Sequence, residues 1–176
     1  MPVRSLVIMV NAALICLSST LAFAHEESYH EHGAHVHGRV YMAIAAADNE
    51  LVIGWHVPAG DIFGFEHAPE SAAQREAIEK ELAWLHSAAW IRFNGSDSCE
   101  KVQADAQTDL LNPEHSGHGD VEVSFHWQCS APVNLNGMSL HLFERYSALE
   151  SIHFDWLENH AAGSGTLEAP HQQLRR

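Results

Sequence analysis

Residues 39–58 read RVYMAIAAA-DN-ELVIGWHVP, two short apolar segments joined at Asp48-Asn49. That dipeptide, set between apolar runs, marks a tight turn between strands. In the second segment Leu51, Ile53, Trp55 and Val57 alternate with Glu50, Val52, Gly54 and His56. A period of two puts the first set on one face of a strand and His56 on the other. A hairpin with one buried face therefore opens the folded part of the chain.

Downstream, Ser71-Ala72-Ala73-Gln74 has the capping-box pattern and predicts a helix to about His86, with Ile78, Leu82 and Leu85 on one face. Strands are then expected at Trp90–Phe93, Glu100–Ala106, Val121–Cys129, Met138–Phe143, Ile152–Leu157 and Gly165–Leu167, separated by Gly, Asn, Asp and Pro clusters. A hairpin, one helix and a run of strands describe an α+β domain, mainly antiparallel sheet with one principal helix over about 71–86. The expected organisation is 1–24 as a signal peptide, 25–37 as a flexible His-rich segment, and 38–176 as a single β-rich domain.

The leader reading rests on Arg4, the apolar stretch Leu6–Leu17, and Ala22-Phe23-Ala24, an A-x-A cleavage signal. Asn11 and Ser18-Ser19-Thr20 interrupt a stretch already short for a membrane span, so no stable membrane insertion is expected after cleavage. Removing Arg4 leaves 8 Lys+Arg against 23 Asp+Glu, a net charge of −15 with His neutral. Nucleic acid is excluded as a partner for such a surface, because that affinity rests on cationic neutralisation of phosphates. Metal ions fit it better. Cys99 and Cys129 remain after processing, an even pair in an oxidising compartment, and read as a disulfide; zinc ligation is the weaker alternative without a C-x-x-C spacing.

All fifteen His lie after residue 24, and five fall within residues 25–37. In an extended chain His30/His32 and His35/His37 each project to one side as a two-imidazole pincer, and Gly33 permits the turn that brings the pincers together. Zinc takes three or four N, S or O ligands, and Glu31 is a further donor. Cu2+ and Ni2+ also bind imidazole, and an N-terminal His25 with its free amine makes a Cu2+ chelate. His67 beside Glu66 is a candidate ligand from outside the cluster, or a structural His bonded to backbone. His115 and His118 are candidates for a weak loop site, or plain solvated loop residues.

His30-Glu-His-Gly-Ala-His-Val-His-Gly38 followed by Gly64-Phe-Glu-His-Ala-Pro69 resembles the ZrgA-type zinc-regulated proteins, and the likeness runs through the paired cysteines to Thr166-Leu167. The resemblance implies a periplasmic Zn2+-binding accessory of zinc uptake, with a zinc ABC transporter or its binding protein as partner and no enzymatic activity. Many relatives carry a long His/Asp/Glu-rich loop between the cysteines, where here only Pro113–Asp120 stands. The alternatives are a periplasmic copper-binding protein and a zinc-dependent metalloenzyme, although H-E-x-x-H, G-x-S-x-G and P-loop signatures are all absent. His126, His141 and His153 sit on successive expected strands; they form a same-face patch only if those strands are neighbours in register, and otherwise face solvent.

Overall fold

The structure, a computed structural model, describes residues 36–93 and 99–174. The leader and His30, His32 and His35 lie outside the described residues. The hairpin forms as the alternation requires: β1 (Arg39–Ala47) pairs antiparallel with β2 (Glu50–Pro58), Tyr41 opposite His56 and Ala47 opposite Glu50. Asp48 closes the turn at φ 49°, a left-handed conformation that Asp tolerates better than most residues. Val40, Met42, Ile44, Leu51, Ile53, Trp55 and Val57 are buried and His56 is exposed.

The hairpin is the middle of a six-stranded sheet. On one side β5 (Asp120–Cys129) pairs antiparallel with β2, and β4 (Cys99–Thr108) with β5. On the other side β7 (Ser151–Glu158) pairs with β1, and β8 (Ala161–Glu168) runs antiparallel to β7, giving the order β4-β5-β2-β1-β7-β8. The β1–β7 pair is parallel, which the antiparallel expectation did not include. Residues 141–150 return the chain to the start of β1, where Gly38 O accepts from Glu150 N (2.7 Å) and Ser151 N (3.0 Å). A disulfide joins Cys99 to Cys129, directly opposite each other across β4 and β5.

One face of this sheet is covered. The main helix, α2 (Ala72–His86), buries Ile78 and Leu85 and leaves Leu82 partly buried. Its Ser71 cap accepts from Gln74 N at 3.2 Å, but the Gln74 side chain reaches back to Glu70 N (2.7 Å), one residue earlier than the usual box. Trp90 fills the space beneath, edge-on to Trp55 and Phe125, with its indole N–H donating to Leu85 O (2.9 Å). A two-stranded sheet, β3 (Ile91–Phe93) with β6 (Met138–Leu140), completes the layer. The β6 strand ends at Leu140, short of the expected Phe143: after one further bond to the facing chain, His141 N to Trp90 O, the chain turns, Tyr146 N bonding Leu142 O. A short helix, α1 (Ala59–Phe63), was not expected; it follows Pro58 and ends at Gly64, φ 79°. Among the described residues no helix is long and apolar enough to cross a membrane.

Candidate metal centre

Four side chains meet where the chain enters β1. Gly38 stands at φ 76°, and a Cβ there would come within 3.0 Å of Glu150 Cγ and 3.2 Å of Ala148 O, so this entry is built for glycine. Its N–H donates to Asp61 Oδ2 at 2.8 Å, which fixes His37 above α1. Nδ1 of His37 lies 3.3 Å from Asp61 Oδ1, while its Nε2 lies 3.4 Å from Glu66 Oε1. The other Glu66 oxygen contacts His118 Nδ1.

Glu66 is placed by local chemistry. The left-handed Gly64 ends α1 and reverses the chain, and Gly60 leaves room for the carboxylate, since a Cβ there would lie 2.9 Å from Glu66 Oε1. Gly119 N donates to Glu66 O (3.0 Å) and Gly119 O accepts from Ala59 N (2.8 Å), which holds the His118 loop against α1. The result is layered by exposure. The Asp61 and Glu66 side chains are 6% and 14% exposed, while those of His37 and His118 are 64% and 78% exposed. Imidazoles on the solvent side therefore roof two sunken carboxylates.

Burying a carboxylate is costly unless charge and hydrogen bonds compensate it. Among the described residues the ion-pair partners are all imidazoles, and Glu66 Oε1 is buried without a hydrogen-bond partner. Among the described residues no three His, Cys, Asp or Glu side chains already converge as a metal cage. The contacts are pairwise, and the imidazoles lean directly onto the acid. The spacing nevertheless suits an ion: ligands at about 2.0–2.2 Å from a tetrahedral zinc stand roughly 3.4 Å from one another. The His37 Nε2 to Glu66 Oε1 separation of 3.4 Å matches that edge. Asp61 on Nδ1 stands where a carboxylate would orient the imidazole if its Nε2 took a metal, and would raise its basicity.

Of the candidates from the sequence, His37 and His118 are brought to one carboxylate. His67 is not part of that arrangement: its Nδ1 lies 2.9 Å from Ala68 O and its ring packs on Phe65, the backbone-bonded alternative. His115 turns to Asp109 Oδ2 (3.1 Å), whose other oxygen accepts from Asp120 N, so it braces its own loop apart from His118's contact. Asp61 and Glu66 were missed as donors, although Glu66 stands in the Gly64–Pro69 motif. The strand histidines do not converge, because β2 and β1 separate β5 from β7 and His141 lies beyond β6. His141 is buried between Ser139 Oγ (3.0 Å) and Glu144 Oε1 (3.1 Å).

No curated protein gives a significant match to the chain. The family model described as "ZrgA family zinc uptake protein" matches residues 34–176, a span that contains β1 through β8 and all four of the residues just described. The chain belongs to the ZrgA family of zinc uptake proteins.

Proposed function

We propose that this protein is a periplasmic zinc-capture accessory that takes up Zn2+ as cargo and supports its delivery to a transport system. Glu66 carries the reading: it is a sunken carboxylate with an imidazole at each oxygen and a buried Oε1 that, among the described residues, lacks a hydrogen bond. In this proposal His37 Nε2, His118 Nδ1 and Glu66 bind the ion and Asp61 orients His37. His35, two residues before His37, supplies a further imidazole. His30 and His32 add capture capacity in the preceding segment.

Family membership as a zinc uptake protein supports the choice of cargo and a non-enzymatic role. The leader read in the sequence, together with the Cys99–Cys129 disulfide, supports a periplasmic location. Exposed imidazoles suit a site that must also release its ion, because protons compete for the nitrogen lone pairs as the medium becomes acidic. The test is zinc titration calorimetry on the mature protein and on a His37→Ala/His118→Ala variant, at neutral and mildly acid pH. A loss of at least tenfold in affinity is expected, and unchanged affinity would move the site elsewhere.

A further inference from the structure

The sheet has a second face, and nothing in the chain's described residues covers it. Register aligns one row across all six strands: Gln107, Glu122, His56, Tyr41, His153 and Thr166. Tyr41 is the centre of that row, its ring stacked on His56 (centroids 5.3 Å) and tilted against His153 (6.0 Å). The adjacent row is low, with Ser124, Gly54 and Ala43 between Asp105 and Asp155. Together they enclose a trough of about 880 Å³.

The floor at Gly54 is not dictated by packing. A Cβ there would meet nothing nearer than Val123 O at 3.9 Å, and its φ is not left-handed. Gly163 and Gly165 differ, since a Cβ at either would strike the rings of Trp156 (2.7 Å) or Phe154 (2.4 Å). Glycine inside a strand weakens it and often marks a close approach by another chain or ligand. Among the described residues Gly54 has no such approach, and its missing side chain deepens the trough.

Charge identifies the occupant. Among the described residues no Lys or Arg lines the trough, whereas Asp105, Glu122 and Asp155 do. Glu122 is engaged by Gln107 Nε2 (3.1 Å), but among the described residues neither Asp105 nor Asp155 has a cationic partner. These two stand four strand spacings apart, roughly 19 Å, the length of about six residues of extended chain. Between them stands Tyr41, whose hydroxyl oxygen is an acceptor for an ammonium or guanidinium N–H.

We propose that the outer sheet face is a docking surface for a short basic polypeptide segment of a partner protein. The segment lies across the strands, its backbone over Gly54 and Ala43. Its Lys or Arg side chains reach Asp105 at one end and Asp155 at the other, with one cation against Tyr41. This surface is independent of the His37–Glu66 centre.

The test uses the mature, disulfide-bonded protein and acetylated, amidated hexalysine as probe, with the same peptide Nε-acetylated on every lysine as the neutral control. Backbone amide shifts should concentrate on Tyr41, Gly54, Ser124, Asp155 and Ser164 with hexalysine and vanish with the control. Asp105→Asn/Asp155→Asn should weaken binding at least tenfold; these surface substitutions preserve shape, so a folding defect does not obscure the result. Gly54→Phe should abolish binding by filling the floor. Shifts spread over the acidic surface of α2, or binding undiminished in the double variant, would overturn the proposal. So would a response of His56 and His153 to zinc with none to hexalysine, or self-association of the chain through this face.

Discussion

Glu66 and Glu81 are both glutamates sunk into the surface, 14% and 20% exposed, and they are treated in opposite ways. Glu81, on α2, accepts from Arg145 Nε (2.7 Å) and Nη2 (2.8 Å) and from the Tyr146 hydroxyl (3.0 Å). Arg145 in turn stacks over Trp84, its Cζ 4.5 Å from the ring centroid. That cluster is complete: the charge is neutralised by a group that never deprotonates, and both oxygens are bonded. Among the described residues Glu66 has only imidazole partners, whose nitrogen lone pairs a metal can take. A guanidinium partner makes a carboxylate structural, whereas imidazole partners leave it open to a cation.

The largest separation between the two should appear in zinc affinity. Glu66→Gln is expected to weaken zinc at least 100-fold by calorimetry, because it removes the anionic ligand proposed above and leaves only a neutral amide oxygen. Glu81→Gln should leave the dissociation constant within about twofold. Equal losses in both variants would mean that Glu66 acts through the fold rather than on the ion. A smaller effect is expected at Asp61→Asn, about 10- to 100-fold, the range typical of partners that orient a ligating imidazole. The amide still accepts from His37 Nδ1, so a loss larger than that of Glu66→Gln would make Asp61 a direct ligand.

Much of this contrast was hidden in the sequence, and the reasons are specific. The β1–β2 hairpin was legible because its apolar residues alternate without a break over β2. The β7 partner was not, since a parallel pairing depends on the path of residues 141–150 and leaves no local mark. β8 was read as Gly165–Leu167, yet it begins at Ala161. Its Ala-Ala-Gly-Ser-Gly start has no apolar alternation, and the rings of Trp156 and Phe154 occupy the space its glycines leave. In the centre, imidazoles drew attention by their number and placed His37 and His118 in the candidate set. Asp61 and Glu66 gave no such signal, because burial of a carboxylate without a guanidinium is a tertiary property. Gly64 also reverses the chain, so Glu66 rather than its neighbour His67 faces the centre.

Stability in the presence of a chelator should invert the ranking. Glu81→Gln loses charge-assisted hydrogen bonds and is expected to cost about 1–2 kcal/mol in denaturant unfolding. Glu66→Gln removes a sunken charge that lacks a fixed cation among the described residues, so apo-protein stability should stay the same or rise by up to roughly 1 kcal/mol. A matching loss at Glu66 would show that its imidazoles already neutralise it as fully as Arg145 neutralises Glu81.

The smallest effect is the pH dependence of that stability, and its sign follows from Glu81. Hydrogen bonding from Arg145 is the main cause that holds the Glu81 carboxyl below the usual range; partial burial opposes it and the Tyr146 hydroxyl assists. A depressed folded-state value means that this contribution is present above the unfolded value near pH 4.5 and is lost as pH falls through the folded one. Tyr146 has the opposite sign: burial raises its phenol, so its contribution holds below about pH 10 and fades above it. Unfolding of wild type followed from pH 7 to pH 3 should therefore steepen below about pH 4.5, and Glu81→Gln should flatten that limb by less than about 1 kcal/mol after solvent screening. Tyr146→Phe should leave the acid limb largely in place and flatten the alkaline one. If Glu81→Gln left the acid limb unchanged, the carboxylates responsible would lie elsewhere, and Glu81 would no longer stand as the charge-complete counterpart of Glu66.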